Sequence, residues 1–248
     1  MGLTLQVLED FGIDFTVEVQ EDERWKSVPW RSVTKATPGH LRITVRPGSY
    51  RSGDYRVEGD WSGASYLLAA GAAGREPVLV TGLRSDSLQG DRAILDILRD
   101  MGASVKLRSD GILVSPSSLH GITVDMGACP DLVPTVAMIA ASASGETRIT
   151  NIAHLRIKEC DRLSACATSL SLIGVGTEEG PDYLTIHGLF PQVPAVPEGT
   201  VFPTWNDHRM AMSVSLLGLA RGQRVLVDDP AVVRKSFPDF WKVWSALA

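Results

Sequence analysis

The sequence predicts an α/β fold: one lobe of three similar helix–strand units, preceded by a fragment of a second lobe. Three observations carry this reading. Asp60, Asp131 and Asp207 stand 71 and 76 residues apart (131 − 60; 207 − 131), and each runs into an apolar helical stretch: Ala64–Ala73, Val133–Ser144 and Ala211–Ala220. Each stretch stops near a glycine (Gly74, Gly145, Gly222) and is followed by a β-rich run, Val78–Val80, Thr147–Thr150 or Arg224–Val227. Eleven residues after the start of each run (89 − 78; 158 − 147; 235 − 224) comes a polar residue, Gln89, Lys158 or Lys235, that opens a second helix. Units this small cannot bury their own apolar faces, so they pack on one another with the helices inside.

The elements follow in order. Leu3–Phe11 has helical spacing and stops at Gly12, and Asp14–Val19 and Leu41–Arg46 alternate as strands do. Residues 1–56 lie outside the repeats and read as a fragment of an N-terminal lobe with an abrupt start. The repeats occupy about 57–124, 125–200 and 201–248. Pro191, Pro194, Pro197 and Pro203 mark a loop between the second and third.

Composition narrows the function. With 248 residues, 44% of them hydrophobic, the chain can bury a sizeable core. A formal net charge of −5 argues against a nucleic-acid binder, whose phosphate-tracking surface needs a basic excess. Cys129, Cys160 and Cys166 have neither C-x-x-C spacing nor histidines at zinc spacing, which suits a reducing compartment. The start lacks a basic leader, and the longest apolar stretches, Leu132–Ala141 and Ser213–Ala220, are too short for a membrane. The expectation is a soluble, cytoplasmic protein.

Three clusters concentrate reactive residue types. In Cys129-Pro130-Asp131-Leu132-Val133-Pro134-Thr135, the plain reading of Asp131 is a helix N-cap. In Leu155-Arg156-Ile157-Lys158-Glu159-Cys160-Asp161-Arg162-Leu163, a helix would place Lys158 and Glu159 beside Arg162 as a solvated ion-pair face. The third is Trp205-Asn206-Asp207-His208-Arg209-Met210-Ala211-Met212. Lys158 and Lys235 fall at matching repeat positions near helix starts, where a cation is unfavourable unless an anion offsets it.

Taken together, these clusters resemble the 5-enolpyruvylshikimate-3-phosphate synthases, which carry L-R-x-K-E-[ST]-D-R, N-D-H-R-x-A-M and K-[ST]-F-P-D-[YF]. The matches here are Leu155–Arg162, Asn206–Met212 and Lys235–Phe240, with Val57-Glu58-Gly59-Asp60 and Ser65-Tyr66 answering the family's V-E-G-D-x-S-S-A-S-Y. The resemblance covers essentially the whole chain. It implies an enolpyruvyl transferase-like lobe, an inside-out α/β barrel of three repeats, closing on a second lobe over phosphoenolpyruvate and 3-phosphoshikimate. It implies transfer of the enolpyruvyl group to the 5-hydroxyl with release of phosphate, and no cofactor or metal.

By the same resemblance, Asp131 contacts the shikimate hydroxyls and is the candidate base, and Glu159 is the proton donor and acceptor at C3. Lys158 binds shikimate oxygens, and His208 lies beside the reacting centre. Arg162 and Arg209 grip the phosphoenolpyruvate carboxylate, and Lys235 lies near the phosphate. His154 stands where many members have an asparagine touching the shikimate phosphate. Cys160 replaces a serine or threonine, and Trp61 and Gly63 also depart from the pattern. The family's N-terminal lysine, phosphate-binding arginines and shikimate-site serines and glutamine have no counterpart here. This leaves open an inactive half that needs a separate N-terminal partner. It also leaves UDP-N-acetylglucosamine 1-carboxyvinyltransferase, of the same fold, as an alternative.

Overall fold

The computed structural model describes residues 1–33, 36–192 and 195–247. Two units are present, Met1–Val57 and Glu58–Ala248. Pro194 of the proline-rich loop lies outside the described residues.

In the first unit, helix α1 (Gly2–Asp10) buries Leu5 and precedes strands β1 (Phe15–Glu21), β2 (Arg24–Ser27) and β3 (Leu41–Val45). They form an antiparallel sheet of order β2-β1-β3. β1 and β2 are joined by Asp22 and Glu23, both at positive φ (47° and 65°), which suits the right-handed twist of a two-residue hairpin. β2 was not expected, because Arg24-Trp25-Lys26-Ser27 shows no clean apolar alternation.

The second unit contains the repeats. The first has α2 (Trp61–Ala73), β4 (Val78–Val80), α3 (Ile94–Asp100), β5 (Ser104–Leu107) and β6 (Ile112–Ser115). The second has β7 (Thr123–Asp125), α4 (Val133–Ala140), β8 (Glu146–Thr150), α5 (Arg162–Ser171), β9 (Gly176–Glu179) and β10 (Leu184–His187). The third has β11 (Val201–Phe202), α6 (His208–Val214), β12 (Leu226–Val227) and α7 (Phe240–Trp244). Helix, strand, helix recurs in each, as the aspartate spacing predicts.

The first helix of each repeat is interior. Every residue of α4 is buried, and α4 packs against both α2 and α6. A helix apolar on all sides belongs in a core, where each fully buried Val or Ile contributes roughly 1.5–3 kcal/mol. The sheets lie around these helices in the orders β4-β6-β5, β7-β8-β10-β9 and β11-β12. Among the described residues they stay separate, so the expected barrel is not closed by strand pairing. The sheets meet through the central helices instead of through shared edges.

Two predicted helices end early for local reasons. α4 stops at Ala140 rather than Ser144, where Ser142 and Ala143 donate to carbonyls three residues back and Gly145 turns at φ 77°. α6 tightens after Val214 into a 3-10 helix, Ser215–Arg221, that ends at left-handed Gly222. No described helix is long and apolar enough to cross a membrane.

Candidate active site

The three repeat aspartates hold equivalent places with different duties. Asp60 accepts from Ser62 N and Gly63 N and caps α2; Asp207 accepts from Arg209 N and caps α6. Asp131 does not cap. It sits in a 3-10 turn, Pro130–Leu132, ahead of α4, whose N-cap is Leu132 with no side-chain bond. Pro130 and Pro134 flank this start and shift the helix one residue along, so the plain capping reading of Asp131 fails. Its carboxylate accepts from Arg162 Nη1 at 2.9 Å and lies 3.0 Å from Arg209 Nη2.

Arg162 is the hub. Its side chain is 1% exposed, so the solvated ion-pair face expected for it is not what forms. Nε donates to Asp207 Oδ2 at 2.7 Å, Nη1 to Asp131, and Nη2 to Glu159 Oε2 at 2.7 Å. A planar five-donor fork holds three carboxylates at fixed angles in one plane, a geometry that the freely rotating ammonium of a lysine does not impose. One side chain thus ties two repeats: Asp131 and Glu159 from the second and Asp207 from the third.

Trp205 and Asn206, both left-handed (φ 51° and 57°), turn the chain sharply to deliver Asp207, His208 and Arg209. His208 is 5% exposed, with Nδ1 at 3.8 Å from Asp207 and 4.0 Å from Glu159. Both distances exceed hydrogen-bond reach, and Nδ1 has no partner among the described residues. Burial, reinforced by Arg209, holds His208 below the ordinary histidine value, so it is neutral at pH 7. Lys235 Nζ donates to Glu159 Oε1 at 2.5 Å. That bond, with Arg162, pulls Glu159 down to about 2.

Cys160 Sγ points to Asp207 Oδ2 at 3.6 Å. Burial and the Asp207 carboxylate push its thiol up to about 12. The neighbouring cations therefore do not make it a reactive thiolate. Among the described residues no group of three or more His, Cys, Asp or Glu is arranged to hold a metal ion.

Asp131, Glu159, Arg162, His208, Arg209 and Lys235 thus converge. Lys158 and His154 do not join them. His154 lies in a 3-10 turn, Ala153–Ile157, and Lys158 closes that turn, exposed; neither has a hydrogen bond or ion pair among the described residues. Lys158 and Arg162 do not share a helix either, because α5 begins only at Arg162 behind its cap Asp161. Lys158 and Lys235 keep matching places, but in the turns ahead of α5 and α7, not in the helices. Asp207, read only as the opening of a repeat, proves as central as any predicted residue. Its signal was present in the D-H-R cluster, next to an arginine that needed a carboxylate.

The model of the EPSP synthase (3-phosphoshikimate 1-carboxyvinyltransferase) family matches residues 31–244. The chain belongs to the EPSP synthase family. Among curated relatives, the 3-phosphoshikimate 1-carboxyvinyltransferase of Clostridium novyi is 40% identical, over 98% of this chain and 50% of that protein. That of Methanothermobacter thermautotrophicus is 44% identical, over 96% and 54%. The chain therefore spans about half the length of these family members. A solved EPSP synthase from Acinetobacter baumannii superposes with a TM-score of 0.74 over 99% of this chain and 54% of its own, at 24% identity. The enolpyruvyl transferase NikO from Streptomyces tendae gives 0.68 over 100% and 52%, at 19%. At these identities the two structures speak for the enolpyruvyl transferase fold alone.

Proposed function

We propose that this chain carries the proton-handling half of an EPSP synthase site. The reaction transfers the enolpyruvyl group of phosphoenolpyruvate to the 5-hydroxyl of 3-phosphoshikimate. The hydroxyl oxygen bonds to C2 as C3 gains a proton. C3 then loses a proton as the C2–phosphate oxygen bond breaks and phosphate leaves. Asp131 takes the hydroxyl proton, Glu159 gives and takes the proton at C3, and Arg209 holds the carboxylate, while Arg162, buried and bound to three carboxylates, fixes Asp131 and Glu159 rather than gripping substrate as the resemblance implied. Lys235 faces the phosphate, and neutral His208 lies beside the reacting carbons. Exposed Lys158 reaches the shikimate oxygens, and half-buried His154 stands toward the shikimate phosphate. Because the chain spans about half of its relatives, the rest of the wall belongs to a complementary half, and turnover is expected only with it.

The observation that supports this reading best is the Lys235–Glu159 contact. At about 2, Glu159 is too weak a base for work near pH 7. An arriving phosphate competes for Lys235, and losing that partner lets the proton affinity of Glu159 rise as substrate binds. The same anion offsets a lysine whose side chain is 59% exposed.

The test is phosphate release by the chain combined with a complementary N-terminal half, with deuterium exchange at C3. Glu159→Gln is expected to lower kcat by about 10²–10⁴ with little change in phosphoenolpyruvate KM, whereas Arg209→Ala raises KM. Normal kcat and normal exchange in Glu159→Gln would sink the assignment.

A further inference from the structure

Regular helical hydrogen bonding stops at Ile157 and resumes at Arg162. The residues between them, Lys158, Glu159, Cys160 and Asp161, follow Ile157, which is 85% exposed. Glu159 nevertheless meets Arg162 Nη2 at 2.7 Å and Lys235 Nζ at 2.5 Å. An exposed loop holds such geometry only if its stems are fixed.

Arg156 fixes both stems. It stands at the N-terminal stem, and its Nη1 donates to Asp161 Oδ2 at 2.8 Å across the loop. Asp161 is the C-terminal stem and the cap of α5, its other oxygen accepting from Leu163 N and Ser164 N at 3.2 Å. The same guanidinium reaches outward to the β9–β10 turn. Nε donates to the Pro181 carbonyl at 3.0 Å, Nη1 to Glu179 Oε1 at 2.8 Å, and Nη2 to the Gly180 carbonyl. The side chain is 28% exposed. Four acceptors for one planar fork exceed what a surface ion pair provides, and none of the four belongs to the converging cluster.

We propose that Arg156 is a positioning residue that closes the base of the loop 157–160 and bolts it to the β9–β10 turn, setting where Glu159 stands against Lys235 and Arg162. The proposal rests on the role given above to Glu159 only for its catalytic meaning; the clasp itself is a statement about loop geometry. Arg156 acts through Glu159. A lysine could keep the charge but could not serve Asp161, Glu179 and two carbonyls together.

The experiment is a carbon-13 NMR titration of the Glu159 side-chain carboxyl in the chain 1–248, which needs no turnover. Failure of the clasp is therefore distinguishable from failure of the reaction proposed above. Arg156→Lys is the decisive variant, because charge is kept and only the fork is lost. The expected result is a rise of the Glu159 midpoint by about one pH unit, a tenfold gain in proton affinity, as the loop drifts from Lys235 and Arg162. Glu179→Gln, which leaves Arg156 and Asp161 intact but loosens the bolt, is expected to give a smaller rise and serves if the Arg156 variant does not fold. A folded Arg156→Lys, or failing that Glu179→Gln, with the Glu159 midpoint unchanged would overturn the proposal.

Discussion

Replacing Asp207 is the sharpest test of the site's construction. Asp207 is fully buried and Arg162 is 1% exposed. Their Nε–Oδ2 contact of 2.7 Å is supported by Nη2–Oδ1 at 3.4 Å. Taking one partner from a buried ion pair typically costs 3–5 kcal/mol, since the remaining charge is stranded. Here Arg162 keeps Asp131 and Glu159, whose side chains are 32% and 27% exposed, and these soften the loss. Asp207→Asn is therefore expected to cost about 3 kcal/mol. Asp207→Ala also removes the α6 cap, worth about 1 kcal/mol, and should cost about 4. Urea unfolding followed by tryptophan fluorescence measures this. In a background with Trp25 and Trp30 changed to phenylalanine, only Trp61, Trp205, Trp241 and Trp244 of the second unit report. Asp86→Asn, in a surface pair with Arg84 where Asp86 is 72% exposed, is the control and should leave the urea midpoint essentially unchanged. A loss below about 1 kcal/mol for both Asp207 variants would refute the view that this pair is the keystone of the site.

Two further predictions concern pH and packing. Glu159 titrates at about 2 in the folded chain, below its unfolded value near 4.5. The stability it contributes is therefore present above about pH 4.5 and is lost as pH falls toward 2. The shift sets a ceiling of roughly 3 kcal/mol, discounted to about 1–2 because Lys235 is 59% exposed. The stability gap between wild type and Glu159→Gln should close on acidification across that window, and a gap that stays constant would contradict it. At Gly71 a Cβ would stand 2.8 Å from the Val114 carbonyl and 3.0 Å from its Cβ. Gly71→Ala should thus destabilise by about 1–2 kcal/mol despite the helix preference for alanine; thermal unfolding that shows a gain would refute the close approach.

The repeats were legible because they rest on short-range signals: a cap-type aspartate, an apolar run, a glycine stop and a β-rich run. β4 matches its predicted limits, and α2 begins three residues before its own. What sequence spacing could not carry was three-dimensional. Arg162 reads as a surface residue when its only visible partners are Lys158 and Glu159; its burial comes from Asp207, 45 positions on. Asp131 reads as a cap because its neighbours in sequence suit one, and only the fold shows its carboxylate turned to Arg162 and Arg209. The shortening of β12 and the 3-10 continuation of α6 depend on packing among repeats, which periodicity within one repeat does not report. The site residues visible from sequence were those with unusual chemistry in a fixed local order. Arg156, a structural clasp inside that same string, differs from its functional neighbours only in where its side chain goes.

The sheets also differ in how they finish. β8 is flanked on both sides, by β7 and β10, whereas among the described residues β4 pairs only with β6 and β12 only with β11. Each of the last two has one side with no strand beside it among the described residues, next to exposed Leu79 (40%) and Leu226 (53%). Such edges are templates for another strand. Their brevity keeps the attraction weak for one molecule, but it grows with protein concentration. A lysine at exposed Leu226 would guard that edge without touching the core.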